Sequence, residues 1–591
     1  MAESSDNSPD TFFTLPKNEG SNKVCSLSDA IRKYIRPGMI VHLGSTHARP
    51  NGFIYELARQ FHGKKPGFTF VSAGFIANSV ILLHLGLVKK IISTFCGDNY
   101  PYPGPNPVVQ RAYTSGTVEF ENWSILTLPL RLMAGAMGVP FMPTKSLIGS
   151  TMERDNRGSF FVLHRGKDVM GMVKALHPDI TLMHGIMGDR NGNIVLTPPY
   201  GADVHGALAS RRGVLVSVEK IVSTEEVRRH AHMVRIPGHI VRAVCPAPFG
   251  AHPSGLSGQG VHVFVPYADD YEFIEEARSA SRDPEVMDRW IKTWVLECRT
   301  HEDYITRLGS KRIRRLTEKA DPESWRADII GFPVGHGDAN MPPESEARPA
   351  ERMAVMGGRR LCEKIGREGY STILAGIGVS NLSAWLAHYW LKAQGNDIEL
   401  MAETGFYGYA PRPGDPFIFN LRNVPTCKML SSTETIMGVL LGGEPNRCIG
   451  AIGAGQIDWH GNINTTMIPG RLYLTGSGGG NDICSSAAEV LVTAFQGKGR
   501  FLKKVPYITS PGTRVKTLVS DLGVFEKNRR SDTLTLTGYF PIAPEEEALR
   551  EIKEKCGWPF KAVRKPERLA LPSQEELRLL RFFDPKGLFL S

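Results

Sequence analysis

The pattern Asp-x-x-Gly-Asn-Ile occurs twice in this chain, at Asp189–Ile194 and at Asp458–Ile463, each time after an apolar run. One Gly-Asn pair is ordinary turn chemistry. Two copies at matching points of two similar halves predict a duplicated domain, with each copy a tight turn after a strand rather than a catalytic element. The halves also open alike. Leu27–Tyr34 has helical periodicity, Pro37-Gly38 stops it, and Met39–Gly44 has the composition of a buried strand. Met353–Ile365 repeats the helix, Gly366–Gly369 the break, and Thr372–Gly376 the strand. Helix, Gly stop, apolar strand and Gly-containing loop make an α/β fold: two tandem, related, open α/β domains with largely parallel sheets. Ligands of such sheets sit beyond the carboxyl ends of the strands, where these loops fall.

The expected organisation is a disordered tail over 1–22, a first domain over 23–316, a linker over 317–350, a second domain over 351–545 and a C-terminal tail over 546–591. The linker follows from its Pro, Gly, Asp and Glu content, with Gly335–Asp338 and Pro342–Glu346 inside it. The acidic, Ser-rich start, Met1–Pro9, lacks the basic and apolar segments of a secretory signal.

Composition narrows the function classes. The apolar run around Val80–Val88 is interrupted by His84 and Gly86 and ends at Lys89-Lys90, too short for a bilayer. The nine cysteines are scattered singly, with no Cys-x-x-Cys, which argues against a disulfide framework and a zinc site and for a reducing cytosol. No pair among His184, His252 and His460 has metal-ligand spacing. The net charge of +10 is dispersed, and the one dense basic run, Lys311–Arg315, lacks the aromatic platforms of a nucleic-acid surface. No membrane and no nucleic acid are therefore expected as partners.

One carboxylate stands out by its company. The apolar run Ile398–Ala402 delivers Glu403 into a turn closed by Thr404-Gly405. Ile452-Gly453-Ala454-Gly455-Gln456 and Thr475-Gly476-Ser477-Gly478-Gly479-Gly480 follow. Small residues let main-chain N–H groups approach a ligand closely. The second run has no following Lys-Ser/Thr and no dinucleotide spacing, so nucleotide hydrolysis and nicotinamide chemistry are disfavoured.

These segments carry a resemblance. Glu403-Thr404-Gly405, Gln456–Asn464, Thr475–Gly479, Arg500–Lys504 and Thr509–Gly512 resemble the β subunit of glutaconate coenzyme A-transferase. Leu27–Ile31, Leu147–Ser150, Glu225–Arg229 and Ala247–Ser254 resemble its α subunit. The chain is thus similar to a family I coenzyme A-transferase with α and β fused in that order. The resemblance implies that Glu403 is a covalent nucleophile. It implies main-chain donors to the reacting carbonyl and the coenzyme at Gly453, Ala454, Gly455, Gly476 and Gly478; the family reads Gly-Gly-Ala where this chain has Gly453-Ala454-Gly455. It places Arg49 and Ser72 as substrate contacts, with Phe75 making that neighbourhood bulkier than in the relatives, so glutaconate is not taken as the substrate. The implied reaction moves coenzyme A from an acyl thioester to a carboxylic acid, dicarboxylic acids included, with coenzyme A as a substrate, no cofactor and no metal. A homodimer or homotetramer is implied. Two other readings stay open at this point: an acyl-coenzyme A hydrolase or a carbon–carbon bond-cleaving or decarboxylating enzyme on the same fold, and a non-catalytic binder of coenzyme A esters.

Overall fold

The computed structural model describes residues 13–44, 46–330, 347–445, 447–527 and 531–590. In the first half, seven parallel strands form the body of a sheet: β1 (Ile40–Leu43), β2 (Phe68–Phe75), β3 (Val88–Cys96), β4 (Glu119–Asn122), β5 (Ile180–Asp189), β6 (Val214–Val222) and β7 (Val241–Pro246). Their spatial order is β4-β3-β2-β1-β5-β6-β7. Every residue of β5 is buried, as a strand covered on both faces requires.

The second half repeats the plan with β8 (Thr372–Ala375), β9 (Glu399–Ala402), β10 (Cys448–Gly453), β11 (Glu489–Thr493) and β12 (Val515–Val519), parallel in the order β9-β8-β10-β11-β12. Antiparallel hairpin strands and the edge strand Ala562–Arg568 widen this sheet to ten. Each sheet has one topological switch point, between β1 and β5 and between β8 and β10. Helices pack on the faces: Pro349–Glu368, with Pro at its start and Gly369 (φ +67°) at its end, lies against Val379–Ala393.

The repeated turns are the same object. Asp189 Oδ1 accepts from the Asn191 and Asn193 N–H groups, and its Oδ2 from Asn193 Nδ2. Asp458 treats His460 and Asn462 identically. Asn193 Oδ1 then accepts from Gly238 N, and Asn462 Oδ1 from Gly512 N, just ahead of β7 and β12. The turn staples two neighbouring segments of each domain, which is why both copies keep it.

The domain boundaries differ from expectation in part. Of the expected tail, 1–12 lie outside the described residues, whereas Glu19 is anchored: its N–H donates to Thr224 Oγ1 and its carboxylate pairs with Arg228. Of the expected linker, 331–346 lie outside the described residues. Of the expected C-terminal tail, 546–590 are not an appended segment but part of the second domain, and 591 lies outside the described residues. Helix Gln574–Phe583, opened by a Ser573–Glu576 capping box, buries Leu577, Leu580 and Phe583. Its Arg581 reaches the fully buried Glu351 with paired bonds of 2.7 and 3.0 Å. No described helix is long and apolar enough to cross a membrane.

Candidate active site

The carboxyl edges of the two sheets face each other, and main-chain bonds join them. Cys96 N donates to Thr475 O (2.6 Å), Gly478 N to Thr94 O (3.0 Å) and Ile125 N to Gly478 O (3.0 Å). Beside this seam, Tyr200 N donates to Ser431 O and Thr433 N to Gly201 O.

Glu403 leaves the end of β9 into the seam. Leu400, Met401 and Ala402 are buried, which fixes the strand and leaves its last residue at the edge. Gly405 (φ +121°) then reverses the chain into Phe406–Tyr407; a Cβ there would strike Ser431 O and Pro199. Glu403 is half-buried. Its Oε2 lies where a Cβ of Gly479 would sit, and the Gly479 N–H donates toward the carboxylate. Burial, first, and the neighbouring Asp482, second, push its pKa up to about 7, with the Gly479 N–H pulling the other way.

Asp482 is fully buried on the helix that starts at Gly480. Ser124 Oγ donates to its Oδ1 (2.6 Å) and Leu126 N to its Oδ2 (3.2 Å), both from the first domain. Burial pushes its pKa up to about 6 against those donors.

The other sequence-predicted residues divide. Gly453, Ala454 and Gly455 close β10, on the same edge but two strands from β9, so about 10 Å away by strand spacing. The N–H groups of Ala454 and Gly455 lie beyond the ladder and take no part in its bonds. Gly476 and Gly478 do not offer donors to a ligand. The Gly476 N–H goes to Thr465 O and that of Gly478 to Thr94 O. Gly476 is glycine because a Cβ would lie 2.5 Å from Thr94 O. Gly479, one residue on, makes the approach expected of its neighbours. Arg49 sits in the loop after β1, where burial lowers its pKa and the charges of Asp269 and Asp203 of its own domain act against that. Ser72 lies fully buried within β2, three residues before the strand ends, and donates to Gly74 O (3.0 Å).

Three residues were not singled out from sequence: Gly479, Asp482 and His47. The signal for the first two was present, an Asn-Asp pair opening a helix after the Gly run. For His47 there was none. Its Nε2–H donates to Thr404 O (3.3 Å), its ring stacks on Phe406 (5.8 Å between centroids, 11°), and burial lowers its pKa to about 4, which keeps it neutral.

A half-buried carboxylate with a main-chain donor against it, at a seam between two sheets, has parts that acyl transfer through a protein carboxylate needs. Comparisons with known proteins found coenzyme A-transferases. Residues 24–247 match the coenzyme A transferase family model. The glutaconate CoA-transferase of Acidaminococcus fermentans matches through both of its polypeptides, one on each half of this chain. The first is 27% identical over 318 residues, spanning 50% of this chain and 94% of that polypeptide. The second is 25% identical over 242 residues, 37% of this chain and 88% of that polypeptide. The solved acyl-CoA transferase of Escherichia coli O157:H7 shares the fold along 97% of this chain and 98% of its own, with a TM-score of 0.64 at 16% identity. The chain is similar to coenzyme A-transferases, and its single polypeptide is similar to both polypeptides of the glutaconate enzyme.

Proposed function

We propose that Glu403 carries coenzyme A covalently in a ping-pong transfer between an acyl-coenzyme A and a carboxylic acid. A Glu403 oxygen attacks the thioester carbonyl, and the tetrahedral oxyanion collapses with loss of the thiolate to an acyl–glutamyl anhydride. The thiolate attacks the glutamyl carbonyl and breaks the bond from the glutamyl carbon to the bridging oxygen, which leaves on the acyl group as the free carboxylate, so that a glutamyl-coenzyme A thioester remains. The acceptor carboxylate runs these steps in reverse. Every step exchanges one acyl bond for another, so the thioester energy is kept without ATP.

The observation that carries this reading is the Glu403 carboxyl seated on the Gly479 N–H inside the seam. That N–H is positioned for the oxyanion formed at the glutamyl carbon, where one donor contributes on the order of 3 kcal/mol. Ala454 and Gly455 supply N–H groups along the same edge for the thioester half of the substrate. Burial strips water from the carboxylate, strengthens its nucleophilicity and protects the anhydride from hydrolysis. Coenzyme A is a substrate here, no resident cofactor enters the steps, and a cytosolic assembly of two or four copies fits the fused chain.

The test is intact-mass analysis after incubation with acyl-coenzyme A. A coenzyme A adduct that maps to Glu403 and is missing in Glu403→Gln is the expected result. No adduct in the wild type with donors from acetyl to large aromatic acyl groups overturns the proposal.

A further inference from the structure

A second cavity, of about 640 Å³, lies between the domains and contains none of the residues discussed so far as reacting groups. One wall is Leu256, Pro266 and Tyr267 of the first domain, and the other is Leu421 of the second. Tyr100 and Tyr271 stack at 3.7 Å, 8° apart, and close one side. The Tyr271 hydroxyl is buried with no hydrogen-bond partner among the described residues.

A narrow neck leads away from it. Leu256, Ser257 and Leu421 line both the cavity and the neck, and the neck reaches His47 and Pro199. His47 contacts Thr404, and Pro199 packs against Gly405. The neck therefore opens beside the two residues that follow Glu403.

The charges on the walls are largely spent on one another. Arg422 pairs with Asp328 (2.5 Å) and Arg315 with Glu272 (2.6 Å). Asp269, Glu275 and Asp415 add carboxyl groups to the lining, against the two remaining cations Lys319 and Lys586. With carboxyl groups outnumbering cations, the walls are a poor match for the phosphates of the coenzyme. A volume of this size encloses a drug-sized molecule, whereas a short acyl group would leave most of it to water.

Resting on the reading of Glu403 as nucleophile, we infer that the acyl half of the substrate threads this neck, and that it is bulky and mostly apolar, with an oxygen function for Tyr271. Leu421, at the junction of neck and cavity, is then a specificity-determining residue.

The experiment compares kcat/KM for naphthylacetyl-coenzyme A and acetyl-coenzyme A in the wild type, Leu421→Trp and Leu421→Ala. The wild type is expected to prefer the bulky donor by about tenfold or more, Leu421→Trp to lose that preference by at least about tenfold, and Leu421→Ala to keep it. A wild-type preference for acetyl, a ratio unmoved by Leu421→Trp, or a raised KM for free coenzyme A in Leu421→Trp overturns the inference. Adduct formation on Glu403 from acetyl-coenzyme A separates the two proposals. If it forms while the ratio fails, only the cavity assignment falls; if it forms with neither donor, both fall.

Discussion

Asp482 accepts a 2.6 Å hydrogen bond from Ser124 across the domain seam, and its charge raises the pKa of Glu403. One buried carboxylate thus ties the docking of the domains to the protonation of Glu403. Replacing it with Asn removes the negative neighbour and leaves burial in place. The acid limb of the kcat/KM–pH profile is expected to move to lower pH in Asp482→Asn, away from about 7 in the wild type. An unmoved limb would show that Asp482 acts only as a structural tie.

Glu403 also carries a stability signature. Its folded pKa lies above its ordinary 4.5, so the folded state binds the extra proton. Stability is therefore highest below pH 4.5 with respect to this group and falls as pH rises toward about 7. The loss amounts to at most ~3 kcal/mol. Glu403→Gln is expected to unfold at higher temperature than the wild type at pH 8, with the gap closing near pH 4.5, while transfer activity drops by on the order of 10⁴-fold or more. Thermal denaturation across pH, alongside steady-state kinetics, checks both.

The two adjacent glycines of the seam separate approach to the carboxylate from backbone freedom. A Cβ on Gly479 would occupy the place of Glu403 Oε2, whereas one on Gly478 (φ +49°) meets nothing within 4 Å. Gly479→Ala is expected to slow adduct formation by about 10²–10³-fold. Gly478→Ala carries only the left-handed backbone strain, about 1–2 kcal/mol, seen as a lowered Tm with adduct formation retained. Rapid-quench mass spectrometry compares the two.

Arg581 is the sole cation paired with Glu351 among the described ion pairs, and Glu351 is fully buried. Arg581→Ala leaves a carboxylate stranded in the core and is expected to destabilise the protein by about 3–5 kcal/mol. Activity per folded molecule should stay near wild type below the unfolding transition. Denaturant melts with parallel activity assays test this.

The chain order of the fold was legible because its signals are local. A buried parallel strand is a run of apolar residues, and a helix stop is a glycine. The duplicated turn was legible for the same reason: Asp, Gly and Asn each do a fixed job within six positions. Glu403 stood out as the residue that ends β9 ahead of a required glycine. The division of labour in the Gly run did not, because it is set by what faces each residue. Thr94 consumes the Gly478 N–H and crowds Gly476, and Thr94 is remote in sequence. His47 and Asp482 were hidden likewise, since their partners Thr404 and Ser124 belong to the opposite domain. Ser72 read as a strand-end loop residue, but β2 runs on to Phe75 and buries it within the strand. Residues 546–591 read as detachable only because the partner of Arg581 lies at the far end of the same domain.

The matched plans of the two lobes have a consequence for labelling. β2 and β9 hold the same place, each beside the first strand of its sheet, yet the residue after β9 is Glu403 and the residue after β2 is Ile76, a buried hydrocarbon. Doubling the architecture did not double the chemistry. On the proposed chemistry, saturating thioester is expected to load one equivalent per polypeptide, with none on the N-terminal lobe.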